Sequence, residues 1–135
     1  MIALDTNVLV RYLVADDADQ TEAASALLSG LSPENPGFVC REVAVELVWV
    51  LERSYRYSRE QIAAVLEELI ASEELEIEAA DDVARAAFRY LQGGAGFSDL
   101  MIAAAANRRG AHPLYTFDRR AAQVEGVELL EVHPG

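Results

Sequence analysis

In the stretch MIALDTNVLVRYLV, residues 1–14, a short apolar run ends at an aspartate and passes at once into a helical pattern. The run MIAL has the length of a short strand, and Asp5 follows its carboxyl end. From Val8 onward the apolar residues recur at helical spacing, which predicts an amphipathic helix. A strand that leads directly into a helix is typical of folds in which helices cover a parallel sheet.

The same alternation of strand and helix continues along the rest of the chain. The glycines of residues 93–96 are interpreted as a flexible joint. These patterns predict an α/β fold in three layers, with a central, mostly parallel sheet of about four to five strands flanked by helices. The predicted helices cover residues 7–14, 19–28, 41–54, 58–71, 81–91, 98–109 and 119–124, and the predicted strands cover residues 1–4, 38–39, 75–78, 113–117 and 127–132.

The composition is that of a globular protein, with 52% apolar and 25% charged residues. The length of 135 residues predicts a single domain over residues 1–135. The single cysteine, Cys40, excludes an intramolecular disulfide and fits a reducing cytoplasm. The first residues lack the basic region of a signal peptide, and no stretch reaches the roughly 20 apolar residues of a membrane span. We therefore expect a cytoplasmic protein that does not associate with membranes.

The charged residues narrow the possible chemistry. The chain has 23 acidic and 11 basic residues, and every basic residue is arginine. The absence of lysine excludes a P-loop and Schiff-base catalysis, since both require a lysine amine. The net charge of −12 argues against a coat protein that binds nucleic acid non-specifically, but it allows an enzyme with a local basic rim. The acids between Glu60 and Asp82 are interpreted as a solvated face.

Three aspartates lie where strands end or helices begin. Asp5 and Asp118 follow predicted strands, and Asp99 opens an alanine-rich helix. Each of them could simply cap a helix, because a carboxylate accepts hydrogen bonds from the free N–H groups there.

Glu46 is the fourth unusual acid, because it lies inside the apolar sequence VAVELVWVL. Its neighbours one turn away include Val43 and Val50, so we expect a buried carboxylate, which is costly without a partner. The alternative to a functional role is a salt bridge to Arg53 or Arg11.

Taken together, the four acids predict a metal site. In open parallel sheets the functional crevice lies outside the carboxyl ends of the strands, where Asp5 and Asp118 are expected. Asp99 follows the glycine joint and can turn into the same crevice, while Glu46 can point in from a neighbouring helix. Converging carboxylates stay ionised when a cation is bound, and oxygen ligands without His or Cys favour Mg²⁺ or Mn²⁺.

These motifs resemble the PIN-domain ribonucleases and, among them, the VapC toxins of VapBC toxin–antitoxin systems. The matching segments are LDTNVLVRYL at 4–13, the glutamate of VAVELVWVL at 43–51, FSDLMIAAAA at 97–106 and YTFDRR at 115–120. Their order and spacing suit the family, and the resemblance covers nearly the whole chain. It implies a three-layer PIN-like fold.

The resemblance also implies an activity. A protein of this kind is a Mg²⁺- or Mn²⁺-dependent endoribonuclease that hydrolyses RNA phosphodiester bonds with metal-activated water and acts as the toxin of a toxin–antitoxin pair. Two readings stay open beside it: a PIN nuclease of RNA processing or DNA repair, and a non-catalytic PIN-like interaction module. The implied metal ligands and catalytic residues are Asp5, Glu46, Asp99 and Asp118, with supporting roles for Thr6, Asn7, Ser98 and Thr116.

One motif departs from the family pattern. Many members carry another acidic or polar residue shortly after the last aspartate, whereas Asp118 is followed by Arg-Arg-Ala-Ala. This departure leaves open whether Asp118 is a direct ligand, and whether one or two metal ions bind.

Arginines near the motifs are candidate RNA-binding residues, because a guanidinium group grips phosphate with several donors. The alternative is ordinary ion pairing with the excess acids. The resemblance further implies a VapB-like antitoxin as partner and a homodimer. The helix 41–54 with Trp49 offers apolar contact area for the dimer, and packing in the core is the alternative explanation of its apolar residues. The candidate RNA-binding residues are Arg119, Arg120, Arg11 and Arg41.

Overall fold

The structure is a computed structural model and describes residues 1–133. Within these residues six α-helices and five β-strands follow one another in the predicted order, whereas the seventh predicted helix, at 119–124, is only a 3₁₀ turn at Ala121–Gln123. No helix in this range is long and apolar enough to span a membrane. The helices are α1 (Thr6–Val14), α2 (Ala18–Ser29), α3 (Arg41–Tyr55), α4 (Arg59–Ala71), α5 (Ala80–Leu91) and α6 (Phe97–Arg108). The strands are β1 (Ile2–Ala3), β2 (Gly37–Val39), β3 (Leu75–Ile77), β4 (Leu114–Thr116) and β5 (Val127–Leu129).

The strands confirm the predicted α/β class, since all of the pairings described are parallel. The single sheet that we expected is divided into two, one with the order β1-β2-β3 and one formed by β4 and β5. β1 consists of only two residues, Ile2 and Ala3, and pairs with β2. Residues 117–126, with a 3₁₀ turn at Ala121–Gln123, connect β4 to β5.

Local signals set most of the helix ends. Ser58 and Gln61 form a capping box, in which each side chain accepts the backbone N–H of the other residue at the start of α4. Within the described chain, the start of α5 has no side-chain cap, because Ala79 precedes the helix and Asp81 and Asp82 both lie in its first turn.

A single apolar core cluster joins the three-stranded sheet to the helices. Leu9 of α1, Leu47 of α3, Ile62 of α4 and Phe97 of α6 are all buried in it. Burying a side chain of this size stabilises the fold by about 1.5–3 kcal/mol. The core therefore fixes α3 and α6 beside each other, and with them two of the predicted site residues.

The glycine segment before α6 is not the flexible joint that we expected. Gly93 and Gly94 adopt positive φ angles of 90° and 87°, which only glycine reaches without strain. The carbonyl oxygen of Gly94 accepts hydrogen bonds from Arg59 and Arg120, and that of Gly93 accepts one from Arg89. Three guanidinium groups therefore hold this segment in place.

Candidate functional site

Asp5 lies on the surface at the point where β1 ends and α1 begins. Its Oδ1 accepts the backbone N–H of Thr6 at 2.7 Å, so the capping alternative is correct for this oxygen. No residue within 1–133 donates a hydrogen bond to its Oδ2. Thr6 is buried, and its Oγ1 has no hydrogen-bond partner among the residues described. The neighbouring Asn7 is exposed.

Asp99 lies in the first turn of α6 and is half-buried. Its Oδ2 accepts the backbone N–H of Gly96 at 3.2 Å, which again leaves one carboxylate oxygen without a partner in the described chain. Asp99 lines a cleft of about 150 Å³ together with Thr116 and Ile102. The structure therefore brings the start of α6 next to the end of β4, as the metal-site hypothesis requires.

Asp118 lies in a turn just after β4 and is exposed. Its Oδ1 accepts the backbone N–H groups of Arg120 at 2.7 Å and of Ala121 at 3.2 Å. Its own N–H donates to Oγ1 of Thr116 at 3.0 Å, so this threonine supports the turn. Asp118 thus resembles the other two aspartates, with one oxygen bound to the backbone and the other unbound by residues 1–133.

Glu46 does not occupy the buried position that we expected. It is exposed on α3, and neither of the suggested salt bridges forms. Arg53 lies over the ring of Trp49 instead, at 5.4 Å from its centre, and Arg11 pairs with Asp16.

Glu46 instead lines a cleft of about 560 Å³ between α3 and α6. Ser98, which is exposed in the first turn of α6, lines the same cleft. Glu46 and Ser98 therefore line one cleft and Asp99 lines a neighbouring one, since Ile102 lines both.

The four acids do not converge into one ready-made metal cage. Within residues 1–133, no three His, Cys, Asp or Glu side chains lie close enough together to hold a metal ion. The chemistry of the donors nevertheless fits a hard divalent cation, because each aspartate offers a carboxylate oxygen and the buried Thr6 hydroxyl lacks a partner in this range. The assignment of the four acids as ligands stays a prediction.

The four candidate RNA-binding arginines differ in what they contact. Arg119 forms no hydrogen bond or ion pair with any residue in 1–133, whereas Arg120 donates to the carbonyl oxygen of Gly94 at 2.8 Å. Arg11 donates to Gln20, Asp16 and Tyr55.

Arg41 is also engaged within the protein. Its guanidinium lies 3.7 Å from Asp82 and donates to the carbonyl oxygen of Met101 at 2.9 Å. For Arg11 and Arg41 the ion-pairing alternative therefore describes the structure.

Asp82 has a role that the sequence pattern did not indicate, because its acidic neighbours predicted a solvated face. Asp82 is buried and contacts three arginines: Arg108, Arg85 and Arg41. The hydrogen bond from Arg108 is the main reason that the pKa of the Asp82 carboxyl lies below its usual value. Arg85, three residues further along the helix, was the available signal, since this spacing places two side chains on one face.

Comparisons with known proteins define the class. Residues 2–127 match the family model of the PIN domain, so the chain belongs to the PIN-domain family. It is 30% identical over 121 residues to a VapC ribonuclease of Aquifex aeolicus (strain VF5), a match that covers 89% of each chain. This relative and the family model confirm the predicted PIN-like fold and the resemblance to VapC proteins.

Among solved structures, the chain aligns with the crystal structure of VapC20 from Mycobacterium tuberculosis, described as a toxin that cleaves the sarcin–ricin loop. The alignment has a TM-score of 0.45 and 22% sequence identity, and it covers 99% of this chain and 100% of the other.

Proposed function

We propose that this protein is a Mg²⁺- or Mn²⁺-dependent endoribonuclease and the toxin of a toxin–antitoxin pair. Membership of the PIN-domain family and the relationship to a VapC ribonuclease support this proposal. The observation that carries it is the shared arrangement of Asp5, Asp99 and Asp118. In each of them a backbone N–H fixes one carboxylate oxygen and leaves the other without a partner in the described chain.

These aspartates would hold the metal together with Glu46. A backbone hydrogen bond to one oxygen limits rotation of the carboxylate, so less conformational freedom is lost when the other oxygen binds an ion. A bound divalent cation supplies an activated water and offsets the charge on the phosphoryl oxygens. Thr6, Asn7, Ser98 and Thr116 support the ligands, and Thr116 does so by accepting the N–H of Asp118.

The RNA substrate would lie along the surface around Asp118. Arg119 is exposed there with no partner in residues 1–133, and its guanidinium can bind a phosphate. Tyr115 and Phe117 on either side of Thr116 are 56% and 67% exposed. Exposed aromatic rings beside a cation are typical of surfaces on which unpaired bases stack, so we expect single-stranded RNA.

A VapB-like antitoxin would bind the cleft between α3 and α6. Trp49 and Ile102 provide its exposed apolar surface, while Glu42, Glu46 and Glu52 make it acidic. A basic segment complements this cleft and the net charge of −12. Homodimerisation through α3 would use part of the same surface. The molar mass measured with and without the antitoxin distinguishes a homodimer from a complex with the antitoxin.

Cleavage of RNA by the purified chain tests the proposal. Without its partner, the protein should cut single-stranded RNA in Mg²⁺ or Mn²⁺ and stop in EDTA. Asp5→Asn and Asp99→Asn should abolish cutting while the melting transition stays cooperative. Glu73→Gln changes an exposed acid outside the motifs and should retain activity.

Three results would contradict parts of this proposal. Full activity in EDTA would exclude a metal requirement. Unchanged activity in both aspartate variants would exclude the site assignment. A wild-type protein that folds but cuts no RNA in either metal would favour the non-catalytic interaction module.

A further inference from the structure

The guanidinium group of Arg59 lies against the segment that leads into α6. Its Nη1 donates to the carbonyl oxygens of Tyr90 at 2.7 Å and Ala95 at 3.0 Å, and its Nη2 donates to that of Gly94 at 3.1 Å. One side chain on α4 therefore binds both the end of α5 and the segment that precedes α6. No motif in the sequence indicates this role.

The position of Arg59 is itself well defined. Arg59 is the first residue of α4 and follows the Ser58 cap, so its backbone is fixed by the capping box. Its guanidinium lies 4.3 Å from the ring centre of Tyr90, which permits a cation–π interaction. Tyr90 is buried and meets Phe97, the first residue of α6, edge to face with ring centres 6.1 Å apart.

The hydrogen bond to Ala95 has a direct consequence for the candidate site. The carbonyl group of Ala95 and the N–H group of Gly96 belong to the same peptide unit. The oxygen accepts from Arg59, while the N–H donates to Oδ2 of Asp99 at 3.2 Å. Because a peptide unit is planar and rigid, fixing its oxygen also fixes the direction of its N–H.

We propose that Arg59 is a positioning residue that orients the Asp99 carboxylate through the Ala95–Gly96 peptide unit. A positive group, a peptide dipole and a negative group lie in sequence, so each hydrogen bond strengthens the other. The space around Gly96 is consistent with this arrangement, since a Cβ built there would lie only 3.3 Å from Oδ2 of Asp99. The consequence for catalysis rests on the proposed nuclease function, but the structural coupling does not.

The coupling can be measured by NMR in the full-length chain without RNA or metal. Asp99→Asn should shift the amide resonance of Gly96, because the charged acceptor is lost. In an Arg59→Gln background the same change should produce less than about half of that shift, as expected when two residues are coupled. Arg89→Gln is the matched control, because within residues 1–133 Arg89 donates only to the carbonyl oxygen of Gly93. It should leave the Gly96 response at its wild-type value.

Kinetics provide the second measurement. Arg59→Gln should lower kcat about 10- to 100-fold while KM for RNA stays within about twofold, because the reacting groups are misplaced and RNA binding is unaffected. Arg59→Lys should show an intermediate loss, since one ammonium group cannot bind three carbonyl groups in the same way. If Arg59→Gln lacks a cooperative melting transition, Arg59→Lys replaces it in both experiments.

The outcomes separate this proposal from the proposed function. The positioning role would be overturned if Asp99→Asn shifted the Gly96 amide resonance equally in the wild-type and the Arg59-substituted backgrounds. An unchanged kcat in both Arg59 variants would also overturn it. If the wild-type chain cuts no RNA, the nuclease function fails, and the NMR result alone then decides whether Arg59 orients Asp99.

Discussion

Arg108 and Asp82 form a two-point ion pair that joins the end of α6 to the start of α5. Nε of Arg108 donates to Oδ2 of Asp82 at 2.5 Å, and Nη2 donates to Oδ1 at 3.0 Å. Bidentate pairs of this kind are stronger than single hydrogen bonds because their geometry is fixed. The pair lies at the opposite end of α6 from Asp99, so side-chain hydrogen bonds stabilise both ends of this helix.

Asp82→Asn should lower the free energy of unfolding at pH 7 by about 2 kcal/mol, the scale of hydrogen bonds to charged groups. The pKa of Asp82 is depressed in the folded protein, so its contribution is present above the ordinary aspartate pKa of about 3.9 and is lost as the pH falls through the folded value. In urea titrations between pH 7 and pH 2.5, the free energies of unfolding of the wild type and the variant should become more similar as the pH falls. The exposed neighbour provides the control, since Asp81→Asn should change stability by less than about 0.5 kcal/mol.

Gly96→Ala should lower RNA cleavage about tenfold with little change in the melting temperature. The φ angle of Gly96 is −76°, which alanine adopts without strain. The added Cβ would lie 3.3 Å from Oδ2 of Asp99, so the carboxylate must move. Gly30→Ala is a matched substitution at a site where the nearest atom is 3.5 Å away, and its cleavage rate should equal that of the wild type. Equal rates for both variants would show that cleavage tolerates a displaced Asp99.

Glu46→Gln should leave the metal-free protein as stable as the wild type to within about 0.5 kcal/mol, because Glu46 is exposed and forms no ion pair with residues 1–133. If Glu46 binds the metal, the same substitution should reduce the rise in melting temperature that Mn²⁺ produces, since a ligand stabilises the folded state through its affinity. Thermal melts of both proteins in EDTA and in Mn²⁺ measure this difference. If Mn²⁺ raised the melting temperature of both proteins equally, Glu46 would not be a metal ligand.

Tyr90→Phe should raise the free energy of unfolding by about 1 kcal/mol, since a buried polar group without a partner opposes folding. No residue in 1–133 lies within hydrogen-bond geometry of the buried Tyr90 hydroxyl, and burial, together with the negative charge of Glu52, raises the pKa of Tyr90 to about 12. The ring that packs against Arg59 and Phe97 is retained in the variant. Urea unfolding monitored by circular dichroism gives the value, and a loss of stability would reveal a partner for the hydroxyl.

The periodicity of apolar residues was sufficient to predict the order of the helices and strands. It also placed Asp99 at the start of α6 and Asp5 at the end of β1, because both positions follow from local signals. The division of the strands into two sheets could not be predicted, since strand pairing depends on contacts between segments far apart in the sequence.

Burial of charged residues was harder to predict, because it depends on contacts between distant segments. Asp82 is buried only because Arg41 and Arg108 approach it from two other helices. For Glu46 the prediction of burial was wrong, because it placed the residue on the wrong face of α3. Its apolar neighbours in the sequence belong to the buried face, whereas Glu46 shares an exposed stripe with Glu42 and Trp49. Choosing between two faces of a helix requires knowing which one packs against the core.

The connection of residues 117–126 has a consequence for how this sequence can vary. Parallel strands are usually joined by roughly a dozen residues or more, and here ten residues span the distance and also carry Asp118. Asp118 fixes the path of this connection, because its Oδ1 accepts the N–H groups of Arg120 and Ala121 where the 3₁₀ turn begins. A residue inserted between Asp118 and Ala121 would break these hydrogen bonds and displace the aspartate. Among natural relatives, insertions should therefore be excluded from this part of the connection, so that conserved length marks the acid as clearly as conserved identity.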